Sequence, residues 1–316
     1  MKTHYCTLTL FMLLAFNNIS CQTGNNSQQK INEQKISKMY STEKKENSKS
    51  IYYIHVNSMQ SQFEVFVDDV SVFRWIGEWA GNGGNATIPI NSILQQNGQH
   101  ELKVKMFPSY GATQLGEAYM EIDFYVGPKR SIDEHIIFKT VKSHDQLNKE
   151  LAAKIAKLPM YEFRDTFEVS NLPAQCEGWK NSVDLSEEKK EQLKTELFNF
   201  YKEIHAILKA KNVDSFLKLI EPREKMIDAM HCFDETDIYF RTDEIMNTIN
   251  TDDEQIQPLP PMEATTLQFY GYGKLVTLLD IKGRGVIQYI DKSENLSALD
   301  FRIHRKKQGD KLEVIY

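Results

Sequence analysis

From Ile51 to Val126 apolar and polar residues alternate in short runs. Ile51 and Tyr53, then Phe63, Val65 and Val67, then Val70, Val72 and Phe73-Arg74-Trp75 carry the pattern. It returns at 86–90, in Leu102, Val104 and Met106, and in Met120, Ile122, Phe124 and Val126. A period of two puts alternate side chains on opposite faces, so each run predicts a half-buried strand. Asp68-Asp69, Gly81-Asn82-Gly83-Gly84, Asn97-Gly98 and 108–111 supply turns between them. Further strands are expected at 136–141 and 161–169. Between those two, Leu147, Leu151, Ile155 and Leu158 recur at helical spacing behind a Ser143/Gln146 capping pair. Short strands with frequent turns predict an all-β, sandwich-like domain over 51–171.

The period changes after Asn171-Leu172-Pro173. Asp184 with Glu187 can cap a helix whose apolar face is Leu193, Leu197, Phe200, Tyr201, Ile204 and Leu208. A second short helix follows with Val213, Phe216, Leu217 and Ile220 inward. Pro222 is placed to start a third, since proline suits a first helical turn. An acidic, proline-rich loop at 251–261 then precedes strands at 266–272, 275–281, 286–290, 299–304 and 312–315. Lys282-Gly283-Arg284-Gly285 and Gln308-Gly309-Asp310 fit hairpin turns. Helices followed by antiparallel strands give an α+β domain over 184–316. The helix pair in 188–220 and the closing strands Phe301–Arg305 and Lys311–Ile315 resemble the NTF2-like fold. That resemblance implies helices packed into a curved antiparallel sheet around a pocket. It also directs attention to polar strand residues, here Asp280, Asp300 and His304. Alternation with Phe301 and Ile303 points Asp300 and His304 to solvent, which argues against a catalytic pair.

The first residues carry another signal. Lys2 precedes an uncharged apolar run, 8–16, too short to span a bilayer and suited to a signal-peptide core. Ile19-Ser20-Cys21 follows and resembles the cleavage and acylation motif of bacterial lipoproteins, with Asn18 where an aliphatic residue is usual. The resemblance implies that 1–20 are removed and that Cys21 carries a lipid anchor. By resemblance to enterobacterial lipoprotein sorting, Gln22 in place of aspartate implies an outer-membrane anchor facing the periplasm. Residues 22–50 are rich in Asn, Gln, Lys, Glu and Ser and read as a disordered tether over 21–50.

Charge narrows the partners. The net charge is −6, and −7 once Lys2 is lost with 1–20. That balance argues against nucleic acid, whose phosphates need a basic face. Cys176 and Cys232 remain as an even pair, which can be one disulfide or two buried thiols. His231, Cys232 and Asp234 could join Cys176 as metal ligands, but a helix end is the plainer reading. No His-Glu-x-x-His, Cys-x-x-Cys, phosphate loop or Gly-x-Ser-x-Gly is written in the chain. The glycines at 81–84 read as a flexible hairpin. No catalytic residue, metal or cofactor is therefore expected. The expected function is a non-enzymatic envelope lipoprotein acting as a binding or interaction module. Its membrane partner is reached through the lipid, and its other partner is a protein or glycan. An immunity-type protein that neutralises a periplasm-delivered toxin, or an enzyme using an NTF2-like pocket, are the alternatives. Candidate contact residues are Trp75, Trp79, Asn82 and Asn85, aromatics and amides around a permissive turn.

Overall fold

A computed structural model describes residues 26–40, 50–80, 83–129, 134–176, 178–250 and 254–316. Helix α1 (Asn26–Ser37) comes first. The described residues contain four antiparallel sheets and six α-helices, the long ones in the C-terminal half. They divide into two compact units. A β unit takes those within Glu46–Glu177 together with Met230–Cys232, and a helical unit takes those within Met1–Lys45, Gly178–Ala229 and Phe233–Tyr316. Among the described residues no sheet draws strands from both units. No helix among the described residues is long and apolar enough to cross a membrane.

The β unit is built from β1 (Ile51–Met59), β2 (Ser61–Val67), β3 (Val70–Trp75), β4 (Asn85–Pro89), α2 (Asn91–Leu94), β5 (Gly98–Pro108), β6 (Tyr119–Gly127), β7 (Ile136–Lys142), α3 (Lys149–Ala156) and β8 (Tyr161–Val169). One sheet runs β4-β1-β6-β7 and the other β3-β2-β5-β8. Ile54, Val56, Ile122 and Phe124 are buried from the first, Val65, Leu102, Val104 and Phe167 from the second; in β1 this is the opposite parity to the expected Tyr53, which is only half-buried. The two sets meet where the rings of Phe124 and Phe167 lie 4.4 Å apart. Asp68 and Asp69, both at positive φ, form the two-residue β2–β3 turn, a conformation in which Asp is tolerated and whose twist matches the strands. On the edge strand β7, Lys139 reaches across to β8 and donates to Asp165 Oδ1 (2.8 Å) and Thr166 O (2.5 Å). A lysine so placed also disfavours pairing with a foreign strand.

The helical unit contains α1, α4 (Lys190–Lys209), α5 (Val213–His231), α6 (Glu235–Ile249), β9 (Glu254–Ile256), β10 (Thr265–Tyr270), β11 (Leu275–Asp280), β12 (Ile287–Asp291), β13 (Leu296–Leu299), β14 (Ile303–His304) and β15 (Glu313–Val314). Two sheets form, β10-β11-β14-β15 and β13-β12-β9. Leu193, Leu197, Tyr201, Ile204 and Leu208 of α4 share one core with Phe216 and Ile220 of α5, Ile245 and Ile249 of α6, and Val276, Leu278, Ile287 and Ile303 of the sheets.

Several expectations need correction. The tether expected over 21–50 is partly folded: α1 packs along α6, with Ile36 and Tyr40 buried in the helical core. Two apolar anchors and one hydrogen-bonded phenol suffice to order a helix whose other positions are polar. Pro222 does not start a helix; it lies inside α5, which runs unbroken to His231. Its missing N–H is tolerated because burial of Phe216, Ile220, Met226 and Met230 on both sides stabilises the continuous helix. Asp184 caps only a short 3-10 turn, accepting from Ser186 N at 2.9 Å, and α4 begins later at Lys190. The expected strand at 299–304 is two pieces in different sheets. The expected hairpin around Gly283 is reduced to one Leu279–Gly285 bridge. There Asp280 replaces the ladder, accepting from the Lys282 and Arg284 backbone and from the Arg284 and Gln288 side chains.

His304 is not in solvent. It is fully buried, as are Phe301, Arg302, Ile303 and Arg305 on either side of it. The alternation rule fails because both faces of this segment are covered. The sheet and core lie on one, and residues 179–183 on the other, held by Val183 N donating to Arg305 O (2.9 Å) and by Ser182 Oγ, 2.7 Å from His304 Nδ1.

Candidate functional site

Strand register brings the loops that matter to one end of the β unit. Chain β1 finishes at Met59 and β2 begins at Ser61, joined through Gln60 at positive φ. Met59 lies opposite Tyr119, Ser61 opposite Pro108, Phe63 opposite Trp75, Asn57 opposite Asn85, Met106 opposite Tyr161 and Glu121 opposite Lys142. The β3–β4 loop, the loop at 109–118 and the segment at 143–160 with α3 therefore all leave the sheets at this end.

Trp75 is half-buried and committed to its own loop. Its indole N–H donates to Ala80 O (2.8 Å) and is 3.2 Å from Gly83 O. Gln62 ties this loop to β5, accepting from Gly77 N (2.6 Å) and donating to Pro108 O (2.8 Å). The glycines expected to be permissive are closely packed where they are described. A Cβ on Gly84 would sit 2.8 Å from the Trp75 indole, and one on Gly83, at φ +136°, 2.2 Å from Ser58 O. Ser58 fixes the same point, since its N–H donates to Gly84 O (2.9 Å) and its hydroxyl accepts from Gly84 N (3.0 Å). Trp75 is thus a loop anchor. Asn85 is exposed at the start of β4. Asn82 and the Trp79 side chain lie outside the described residues.

What this end presents is apolar. Met59, Tyr110, Leu147, Leu151, Leu158 and Met160 are exposed, Tyr110 by 59% and Leu147 by 88%. Large apolar side chains gathered on several loops mark contact surfaces more often than single ones do. Below them the core is closed by Leu115, Ala118 and Ile155. Backbone bonds from Leu115 N to Leu158 O (3.0 Å) and Gly116 N to Ala156 O (2.9 Å) stitch the 109–118 loop to the end of α3. A polar cluster flanks them. Tyr119 donates to Glu121 (3.1 Å), Lys142 pairs with Glu121 (3.0 Å), and Tyr119 lies edge-on to His144. The Lys142 hydrogen bond holds the Glu121 carboxyl below its usual range, while burial pushes the Tyr119 phenol up and the His144 imidazole down. Of the contact residues expected from the sequence, Trp75 and Asn85 lie at this end. The helical spacing of Leu147, Leu151, Ile155 and Leu158 is met by the shorter α3, and of the four only Ile155 is buried, because spacing signals an apolar face without saying what covers it. A second exposed apolar stretch, Ile136 to Phe138, lies at the opposite end, where Ile136 pairs with Val126.

The remaining candidates lie elsewhere. Cys176 and Cys232 are both half-buried and are not joined as a disulfide; Cys176 Sγ lies 3.4 Å from Met230 Sδ, and burial pushes its thiol pKa up. Among the described residues no group of three or more His, Cys, Asp or Glu could hold a metal. Cys21 lies outside the described residues.

In the helical unit a small cavity is lined by Phe216, Arg223, Arg241, Glu244, Leu299 and Phe301, among others. Behind it Glu224 is fully buried. It accepts from Arg223 Nε (2.8 Å), Arg241 Nε (2.7 Å) and Nη2 (2.6 Å), and Tyr40 Oη (2.9 Å), while Arg241 Nη1 reaches Glu244 (2.6 Å). Burial pushes the Glu224 carboxyl up, but Arg241 and Arg223 outweigh it and hold it down at about 2. These charges satisfy one another.

Ser182, His304 and Glu313 have the composition of a nucleophilic triad without its geometry. Serine meets Nδ1 rather than Nε2, Glu313 stands 4.0 Å from Nε2, and the imidazole is wholly buried, so no substrate carbonyl can reach the hydroxyl–imidazole pair. Nearby, Tyr201 Oη and Thr277 Oγ1 are 2.8 Å apart, Thr277 donates to Asp300 (3.2 Å), and Arg302 pairs with Asp300 beneath the Tyr270 ring. No family model, curated protein or solved structure matches this chain.

Proposed function

We propose that this chain is an envelope lipoprotein, tethered through an acylated Cys21, whose β unit is a contact module. In this reading the β unit is sandwich-like, the helical unit is arranged as in NTF2-like folds, and the outer membrane, facing the periplasm, is where the module works. One observation carries the contact role: Met59, Tyr110, Leu147, Leu151, Leu158 and Met160 stand exposed at a single end of the β unit. Exposing large apolar side chains on several neighbouring loops is unfavourable in water unless a partner covers them. The mutual saturation of Glu224, Arg223, Arg241 and Glu244 favours a structural role for the helical cavity over catalysis.

Two variants test the two halves of this reading. Cys21→Ser is expected to release the protein from the membrane fraction; retention there would remove the anchor from the account. Met59→Ser with Tyr110→Ser is expected to leave the melting temperature nearly unchanged, because both side chains are exposed, while lowering capture of an envelope partner at least several-fold. Unchanged capture, or a large loss of stability, would count against this end as the contact surface.

A further inference from the structure

We propose that helix α3 and its flanks rest on an anionic lipid surface. This rests on the reading of the end as a contact surface and supplies the occupant of its α3 side. Leu147, Leu151, Ile155 and Leu158 recur at helical spacing, yet of these only Ile155 is buried; Leu147 is largely exposed, and Leu151, Leu158 and Met160 are exposed in part. The helix is anchored to its own unit through Ile155: Asn148 caps it by accepting from Leu151 N (3.1 Å), and its far end is stitched to Leu115 and Gly116. The segment is therefore held in place, with exposed apolar side chains before the helix at Leu147 and after it at Leu158 and Met160.

Charge chooses the occupant. The chain has net charge −6, but the stretch 143–160 carries Lys149, Lys154 and Lys157 against Asp145 and Glu150, while Lys142 just before it is paired with Glu121. Lys149, Lys154 and Lys157 are exposed on and beside α3. The one ion pair within the helix, Lys154–Glu150 at 2.8 Å, is open to water and contributes little. Leucines ringed by lysines, with a tyrosine and methionine alongside, match the boundary between acyl chains and negative headgroups. A leucine lowers its free energy by entering the acyl region while each neighbouring lysine stays at headgroup level.

The test uses the full chain carrying Cys21→Ser, so that no acyl chain contributes. Partition is measured on vesicles of phosphatidylcholine alone and of phosphatidylcholine with phosphatidylglycerol. The apolar run at 8–16 is common to all variants, so differences between them read α3. The parent is expected to prefer the anionic vesicles. Leu147→Asp with Leu151→Asp should lower partition about tenfold on the anionic vesicles. Lys154→Glu with Lys157→Glu should lower it on anionic vesicles only. Melting temperatures confirm that each variant is folded. Equal partition of the parent and the Leu→Asp variant overturns the proposal. If a photo-crosslinker at Leu147 then joins the chain to a protein, the contact-surface reading stands and only the lipid is wrong. If it joins to nothing, both fall for this side of the unit.

Discussion

Glu224→Gln is expected to destabilise the chain by about 3–5 kcal/mol, the largest effect foreseen for any single polar substitution here. The carboxylate has no exposure and accepts from two guanidinium groups and the Tyr40 phenol. Glutamine preserves the shape and removes the charge, leaving buried Arg241 with Glu244 as its remaining anion and buried Arg223 without the carboxylate it pairs with. Breaking one partner of a buried pair is far more harmful than the net worth of the pair, because the stranded charge cannot regain water. Lys35→Ala is the contrast. Its pair with Asp214 is 2.6 Å long but exposed, so it should change stability by no more than about 1 kcal/mol. Urea titration of both variants decides the matter; similar losses would mean that the Glu224 network is hydrated and not a core element. Glu224→Gln should also loosen α1, because one carbonyl oxygen is left to accept from Tyr40 and both arginines, and faster proteolysis near Ile36 and Tyr40 would report that loosening.

Acid should act first through His304. Burial holds its imidazole at about 4, against 6.5 when free, with Glu313 opposing that shift and Lys306 adding to it. Below 6.5 the unfolded chain binds a proton that the folded chain refuses. Stability is therefore lost as pH falls from about 6.5 to about 4, and no further loss comes from this residue below that. The interval between the two values corresponds to about 3 kcal/mol. Glu224 acts in a second window. Its carboxyl is held at about 2, so its contribution is complete above the ordinary carboxylate range and is lost as pH falls from about 4.5 to about 2. His304→Gln is expected to flatten the first slope and leave the second. Denaturant titrations at pH 7, 6, 5 and 4 test this, and an identical slope in parent and variant would show that His304 is already protonated or hydrated.

The β unit was largely legible because its strands are covered on one face only. There, alternation reports burial directly, and Val65, Val104, Ile122 and Phe124 fall where the pattern puts them, whereas in β1 the buried face is Ile54 and Val56 and Tyr53 of the expected pattern lies on the other side. The same rule misread His304, because both faces of its segment are covered and the polar partner, Ser182, lies far away in sequence. Helix α6 was missed although its signals are present. Asp234 and Asp237 form a reciprocal capping box, and Ile245, Met246 and Ile249 follow at helical spacing. The neighbouring 251–261 stretch is acidic and proline-rich and reads as loop, yet it contributes β9, with Ile256 opposite Tyr289. Helix α1 was illegible for another reason. Its polar composition reads as disorder, and what orders it is tertiary: Tyr40 finds Glu224, 184 residues away. At the candidate site, aromatic residues were visible in the sequence, but their roles were not. Trp75 proved to be an anchor through bonds to backbone carbonyls that only the folded loop brings within reach.

The central claim, that the loop end of the β unit is the contact surface, is tested most directly by photo-crosslinking in the membrane fraction. A crosslinker is placed singly at Met59, Tyr110 and Leu147, and at Gln99, Ile137 and Tyr239, which are exposed elsewhere. The account predicts discrete adducts from the first three positions and none from the second three. Adducts confined to Ile137 or Tyr239, with Met59, Tyr110 and Leu147 silent, would contradict it.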